Sequence, residues 1–328
     1  MTDNKNLPKI IENSGLALHK TRNLLSITDK ILANKTLAVV DDAWLDELIA
    51  WADENGIPED DFPRDKQEIL QMTILNLPFC KITKLPKSIG NLTNLEHLNL
   101  AMNLLTELPE SIEKLTNLKE LNLGGNQLSK LPNVGKLTNL IGLGLGNNQF
   151  TTIPTFIGKL TKLKWLELGE NKITKIPEFV GNLLNLTELY FSFNQITELH
   201  EFIGKLTNLT TLYLGGNNLT EINESICNLA NLEVLDVQNN NLTKLPLFIG
   251  NLKKLTTLGL IKNKLTTLPE SIGDLTDLLE LYLHDNHILE LPKSMKKVTN
   301  LVDLSLGKNP IKSLPPELSH LNSIIRFN

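Results

Sequence analysis

Apolar and polar positions along most of this chain follow a long fixed frame rather than the simple period of a helix or a strand. In the segment from Leu95, LEHLNLAMNLLTELPESIEKLTN, leucine falls at positions 1, 4, 6 and 11 and asparagine at position 9. Leu-Pro follows at positions 14–15, isoleucine at 18 and leucine at 21. The frame restarts at 72, 95, 118, 140, 163, 186, 209, 232, 255, 278 and 301. Each copy is 23 residues long except the one from Leu118, which has lost a residue near LPNVG by tightening an outer loop. Leucines at positions 4 and 6 alternate as a strand with one buried face does. The Leu-Pro pair disfavours helix and predicts an extended return. One coil cannot bury its own leucines, so the copies must stack into a continuous core with a single parallel sheet.

Ten of the eleven copies carry asparagine at position 9, where an amide can bond the backbone of adjacent coils; the first carries Cys80. This pattern resembles the leucine-rich repeat, in the 23-residue class found in bacterial proteins and in intracellular Ras-pathway scaffolds, over residues 72–328. The resemblance implies an α/β solenoid, a horseshoe with a parallel concave β-sheet, whose positions 3, 5 and 7 face the concavity with 8 and 10 nearby.

Residues 1–71 do not repeat. Leu18, Leu24, Leu25, Ile31 and Leu32 make a helical stripe, which predicts an amphipathic helix over 16–34 within an N-terminal helical segment, 1–35. DDAWLDELIAWADENG predicts a second helix in a helical cap spanning 36–71, with Asp41 or Asp42 as N-cap and Asn55-Gly56 as stop. Trp44, Leu45, Leu48, Ile49 and Ala52 mark its expected buried side, set against the open end of the first coil. At the other end, IIRFN places Ile324 and Phe327 at positions 1 and 4 of a further strand, an edge available for self-association.

Charge changes the picture of partners. Residues 1–71 hold 14 acids and 8 bases, and residues 72–328 hold 23 acids and 24 bases, for a net charge of -5. Without a basic footprint, nucleic acid is not an expected partner. The N-terminus lacks the apolar run of a signal peptide and no stretch is long enough to span a bilayer, so no membrane association is expected. Two cysteines, Cys80 and Cys227, in separate repeats form no disulfide framework, and the expected location is the cytoplasm.

Catalytic chemistry finds little support. GLGLGNN, Gly142–Asn148, looks like a phosphate loop but lies on a strand and leads to no helix N-terminus. His284, Asp285 and His287 in HDNH read as a partner-facing polar cluster rather than zinc ligands. Neither cysteine sits beside a base, so no catalytic, cofactor or metal residues are assigned.

Aromatics supply the sharper signal. The three tyrosines, Tyr190, Tyr213 and Tyr282, all fall at position 5; Trp165 falls at position 3 and Phe193 at position 8. Adjacent coils predict one concave patch of Trp165, Tyr190, Phe193 and Tyr213, with Glu167, Glu170, Glu188, Glu233 and Asp236 around it. With Tyr282, His284 and Asp285 further along, these are the candidate contacts for a protein or peptide, basic or amphipathic. Phe156, Phe179, Phe202 and Phe248, at position 17, are expected to fill space between coils on the outer side, and His200 and Asn223, where proline is usual, to relax the outer turn.

The function these features support is a non-enzymatic protein-interaction module or scaffold. One alternative is a secreted bacterial effector acting on a host protein, for which the Asn-, Lys- and Ile-rich composition fits a bacterial origin. Another is the recognition or regulatory portion of a larger enzyme, a ubiquitin ligase or GTPase, whose catalytic domain is not in this chain. The bacterial repeat proteins that act as ligases do so through a separate cysteine domain, so ligase activity is not expected of residues 1–328 themselves.

Overall fold

A computed structural model describes residues 42–326. Twelve short parallel strands form one sheet in chain order. They are β1 (Ile74–Asn76), β2 (His97–Asn99), β3 (Glu120–Asn122), β4 (Gly142–Gly144), β5 (Trp165–Glu167), β6 (Glu188–Tyr190), β7 (Thr211–Tyr213), β8 (Val234–Asp236), β9 (Thr257–Gly259), β10 (Glu280–Tyr282), β11 (Asp303–Ser305) and β12 (Ile325–Arg326). Each of β1 to β11 covers positions 3–5, and equivalent residues pair across coils, as in Leu75↔Leu98 and Leu189↔Leu212. The shortened copy keeps register: Leu121 pairs with Leu143, and its outer turn contracts to Val134–Lys136, capped by the Asn133 side chain on Gly135 N.

The leucines of the frame form one continuous buried core; Leu98, Leu100, Leu105, Ile112 and Leu115 of one coil are each at most 1% exposed. Asparagine at position 9 ties the coils together. Asn194 accepts from Ile173 N (2.9 Å) and donates to Leu168 O (2.9 Å) in the preceding coil and to Phe191 O (3.1 Å) in its own. Because two of these bonds reach back one coil, the first copy has nothing to serve there, which is why Cys80 is tolerated. A second ladder, at position 23, runs along the surface: Asn117 donates to Thr93 O and Asn208 to Leu184 O.

The outer return is not purely extended. The position-15 proline is extended, as at Pro109 (φ -67, ψ 145), but a 3₁₀ turn follows at once, here Glu110–Lys114. His200 (φ -77, ψ 159) and Asn223 (φ -65, ψ 142) keep the same backbone, so they do not relax the turn. Asn223 instead caps it by accepting from Ser225 N, and His200 packs against Phe202 with its Nε2 3.3 Å from Glu198. Phe202 is buried and Phe156 and Phe179 half-buried, as filling predicts, but Phe248 is 62% exposed. Phe179 and Phe202 seat their β-carbons against Gly158 and Gly181 of the preceding coil. The coil before Phe248 has Cys227 in that glycine slot, so the ring has no seat.

At the N-terminal end, α1 (Ala43–Glu54) and the short α2 (Lys66–Leu70) precede β1. Gly56, at φ +63, ends α1 as the Asn-Gly stop predicts. Leu45, Leu48, Trp51 and Ala52 are its buried residues, joined to the repeat core. Trp44 and Ile49 are only half-buried; Trp51 takes the central place, donating Nε1–H to Lys84 O (2.9 Å) and meeting Phe62 edge to face at 6.1 Å. The helix expected over 16–34, and Asp41, lie outside the described residues.

The last coil departs from the frame. Leu304 pairs with Ile325, so the twelfth strand arrives two residues earlier than the frame sets it, and Ile325 rather than Phe327 takes the position-4 place. Phe327 lies outside the described residues.

Candidate protein-binding face

Position 4 of every strand points into the core, so positions 3 and 5 line the concave face. From β1 to β11 these positions carry Glu120, Glu167, Glu188, Asp236, Glu280 and Asp303 and no lysine or arginine. Two of the acids have partners: His97 Nδ1 lies 3.3 Å from Glu120, and Arg326 pairs with Asp303 at 3.0 Å. Among the described residues no basic group pairs with Glu167, Glu188, Asp236 or Glu280.

The sheet register sets Glu167, Tyr190, Tyr213 and Asp236 side by side at position 5 of β5 to β8. The two tyrosine rings stack, with centroids 5.3 Å apart and planes 15° from parallel. Tyr190 donates its hydroxyl to Glu188 Oε2 at 2.5 Å. Burial, then Glu188, raises the Tyr190 phenol above its usual range; burial, then Asp236, raises Tyr213. Glu167 accepts from Gly169 N (2.5 Å), and Asp236 from Gln238 N (2.9 Å) and Gln238 Nε2 (3.0 Å). Even so, burial pushes Glu167 up to about 7 and Asp236 up to about 6. Partial desolvation without a cation explains both shifts.

Trp165 does not join this row. Its indole lies over Gly142 and Gly144 of β4, on the side away from β6; a β-carbon at Gly142 would stand 2.1 Å from the ring. The glycines that look like a phosphate loop are thus the floor beneath Trp165. Phe193 is 51% exposed and lies on the rim, its ring against Gly216 of the next coil. Glu170, exposed, is its counterpart one coil earlier. Tyr282, His284 and Asp285 stand apart, across β9 with its Thr257 and Gly259; burial, then Glu280, pushes Tyr282 up to about 12. Among the described residues no group of three or more His, Cys, Asp or Glu is arranged to hold a metal ion.

One property of this face escaped the sequence reading. Position 8 takes a left-handed backbone in every coil, from Phe79 (φ 61) and Met102 (φ 58) through Glu170 (φ 52) and Phe193 (φ 56) to Lys308 (φ 53), with glycine there only at Gly125 and Gly216. The varied composition of position 8 concealed it. Large apolar residues at this costly conformation include Phe79 and Met102, 70% and 47% exposed. Elsewhere, an open hollow of about 420 Å³ on the outer side is lined by Ile222, Leu245, Pro246, Leu247 and Leu268 and lacks grouped chemistry.

Sequence profiles of leucine-rich repeat regions match residues 125–215 and 217–327, and a leucine-rich repeat profile matches residues 71–128. The chain belongs to the leucine-rich-repeat family. A leucine-rich-repeat protein of Leptospira interrogans is 36% identical, with a TM-score of 0.70, over 80% of this chain and 74% of its own. The leucine-rich-repeat ectodomain of a plant membrane receptor kinase from Arabidopsis thaliana, solved in complex with Casparian strip integrity factor 2, is 29% identical. That match, with a TM-score of 0.64, covers 78% of this chain and 38% of the ectodomain. An internalin of Listeria monocytogenes, 23% identical with a TM-score of 0.59 over 86% of this chain and 95% of its own, shares the fold. No curated protein matches the sequence. Leucine-rich-repeat proteins are protein-interaction modules, and no described helix of this one is long and apolar enough to cross a membrane.

Proposed function

We propose that this leucine-rich-repeat protein is a non-enzymatic scaffold whose concave face holds a basic segment of a partner protein over the Tyr190–Tyr213 stack. The observation that carries the reading is a tyrosine pair on a rigid sheet flanked by carboxylates that no basic group neutralises. Stacked tyrosines would stabilise a sheet by roughly 0.2–1 kcal/mol with no partner at all. Half-buried carboxylates work the other way: they lower stability unless a cation arrives. Phe193 adds a second cost, an exposed aromatic ring on the rim, of the kind that marks interaction surfaces. The partner bound by the plant receptor ectodomain supports the same class of activity.

Tyr190→Ala combined with Phe193→Ala tests this. The double variant should keep its far-ultraviolet circular dichroism and lose the partner that the wild type captures from a cell lysate, since such aromatic anchors carry about 2 kcal/mol or more of binding each. Capture undiminished in a folded double variant would overturn the proposal.

A further inference from the structure

The order of groups across the sheet specifies more than charge. Position 5 reads carboxylate, ring, ring, carboxylate over β5 to β8, then opens onto Gly259 of β9. Strands lie about 4.8 Å apart, so Glu167 and Asp236, three intervals from one another, stand about 14 Å apart. An extended chain laid across the strands advances about 3.3 Å per residue and alternates sides. Residues four apart therefore share a face at about 13 Å, and the residue midway between them falls over the tyrosine pair. A spacing of two residues falls short by about 8 Å, and one of six overshoots by about 5 Å. A helix rises about 1.5 Å per residue, so it needs about nine residues to span the gap, and those point to opposite sides.

The main chain supplies a second, independent feature. Gly169 N and Gln238 N are taken by Glu167 and Asp236. At the two tyrosine coils between them position 5 provides no acceptor, and the amides of Ser192 and Gly215, which hold the same place, have no acceptor among the described residues. Gly215 is buried, so the half-buried Ser192 leaves one main-chain donor between the carboxylates, where a carbonyl of an extended partner would pass.

We propose that the row Glu167–Tyr190–Tyr213–Asp236 reads an extended segment of a partner protein that carries Lys or Arg at two positions four residues apart and an apolar or aromatic residue midway. One basic side chain pairs with Glu167, the other with Asp236, and the middle residue rests on the stacked rings. This rests on the concave face being the protein-binding surface argued above.

Synthetic glycine-based peptides test it by titration calorimetry against the full chain. A peptide with two lysines four residues apart around a phenylalanine should bind at least about tenfold more tightly than peptides spaced by two or six, or with glutamate for lysine. Glu167→Gln with Asp236→Asn, checked for a native circular dichroism spectrum, should erase that preference. Equal affinity for all spacings, or for the glutamate peptide, overturns the proposal, as does tighter binding of a helical peptide. If no peptide binds while the wild type still captures a protein through Tyr190 and Phe193, the spacing rule falls and the broader reading stands.

Discussion

Glu167→Gln should make the protein more stable at pH 8 while weakening its hold on a basic partner. Glu167 is raised from an ordinary 4.5 to about 7. The native state therefore holds a proton that the unfolded chain has already released. Its favourable contribution is complete below about pH 4.5 and is lost as pH rises through about 7. At about 1.4 kcal/mol for each pH unit, the ceiling across that window is about 3 kcal/mol. Water reaching the groove reduces this to about 1–2 kcal/mol. Glutamine is neutral at every pH and keeps an oxygen for Gly169 N–H, so the variant should match wild type at pH 4.5 and exceed it by about 1–2 kcal/mol at pH 8. Urea unfolding of both proteins, followed by tryptophan fluorescence and circular dichroism at the two pH values, reads the difference directly. Asp236 titrates alike in both and cancels. A variant less stable than wild type at pH 8, or a difference that ignores pH, would refute the reasoning, because the ionised carboxylate would then be well accommodated without a partner.

Phe193→Gly should be more stable than Phe193→Ala by about 1 kcal/mol, the reverse of the usual order, because only glycine adopts φ 56 freely. Thermal unfolding of the pair decides it; an alanine variant at least as stable as glycine would contradict the left-handed assignment. Asn194→Ala should cost about 3 kcal/mol, since it strands three buried backbone groups on two coils. Cys80→Ala, at the slot with no preceding repeat to serve, should cost under about 1 kcal/mol in the same urea assay.

The repeat frame made the fold legible because each buried leucine and each position-9 asparagine answers to a geometric demand that recurs in every coil. Legibility failed where a side chain answered to a neighbour instead. Trp165 has a concave position, but the absence of side chains on Gly142 and Gly144 draws its indole toward β4, which no spacing rule contains. Phe248 matches Phe179 and Phe202 in the frame, yet a single thiol at Cys227 in the coil before removes its seat. The left-handed turn at position 8 was hidden because phenylalanine, methionine and lysine occupy it as well as glycine. The tyrosines and acids of the row could be placed from the frame alone. Their stacking, and the carboxylates' lack of cations, needed the register and the side chains.

The carboxylates of Glu167 and Asp236 report the central claim themselves. Their ¹³C signals, followed through a pH titration of the free protein and of its complex with the lysine-Phe-lysine peptide, show when each gives up its proton. Free, they should ionise near 7 and near 6. In the complex both should ionise at least about one pH unit lower, as a paired cation requires. Titration curves that do not move on binding would contradict the account.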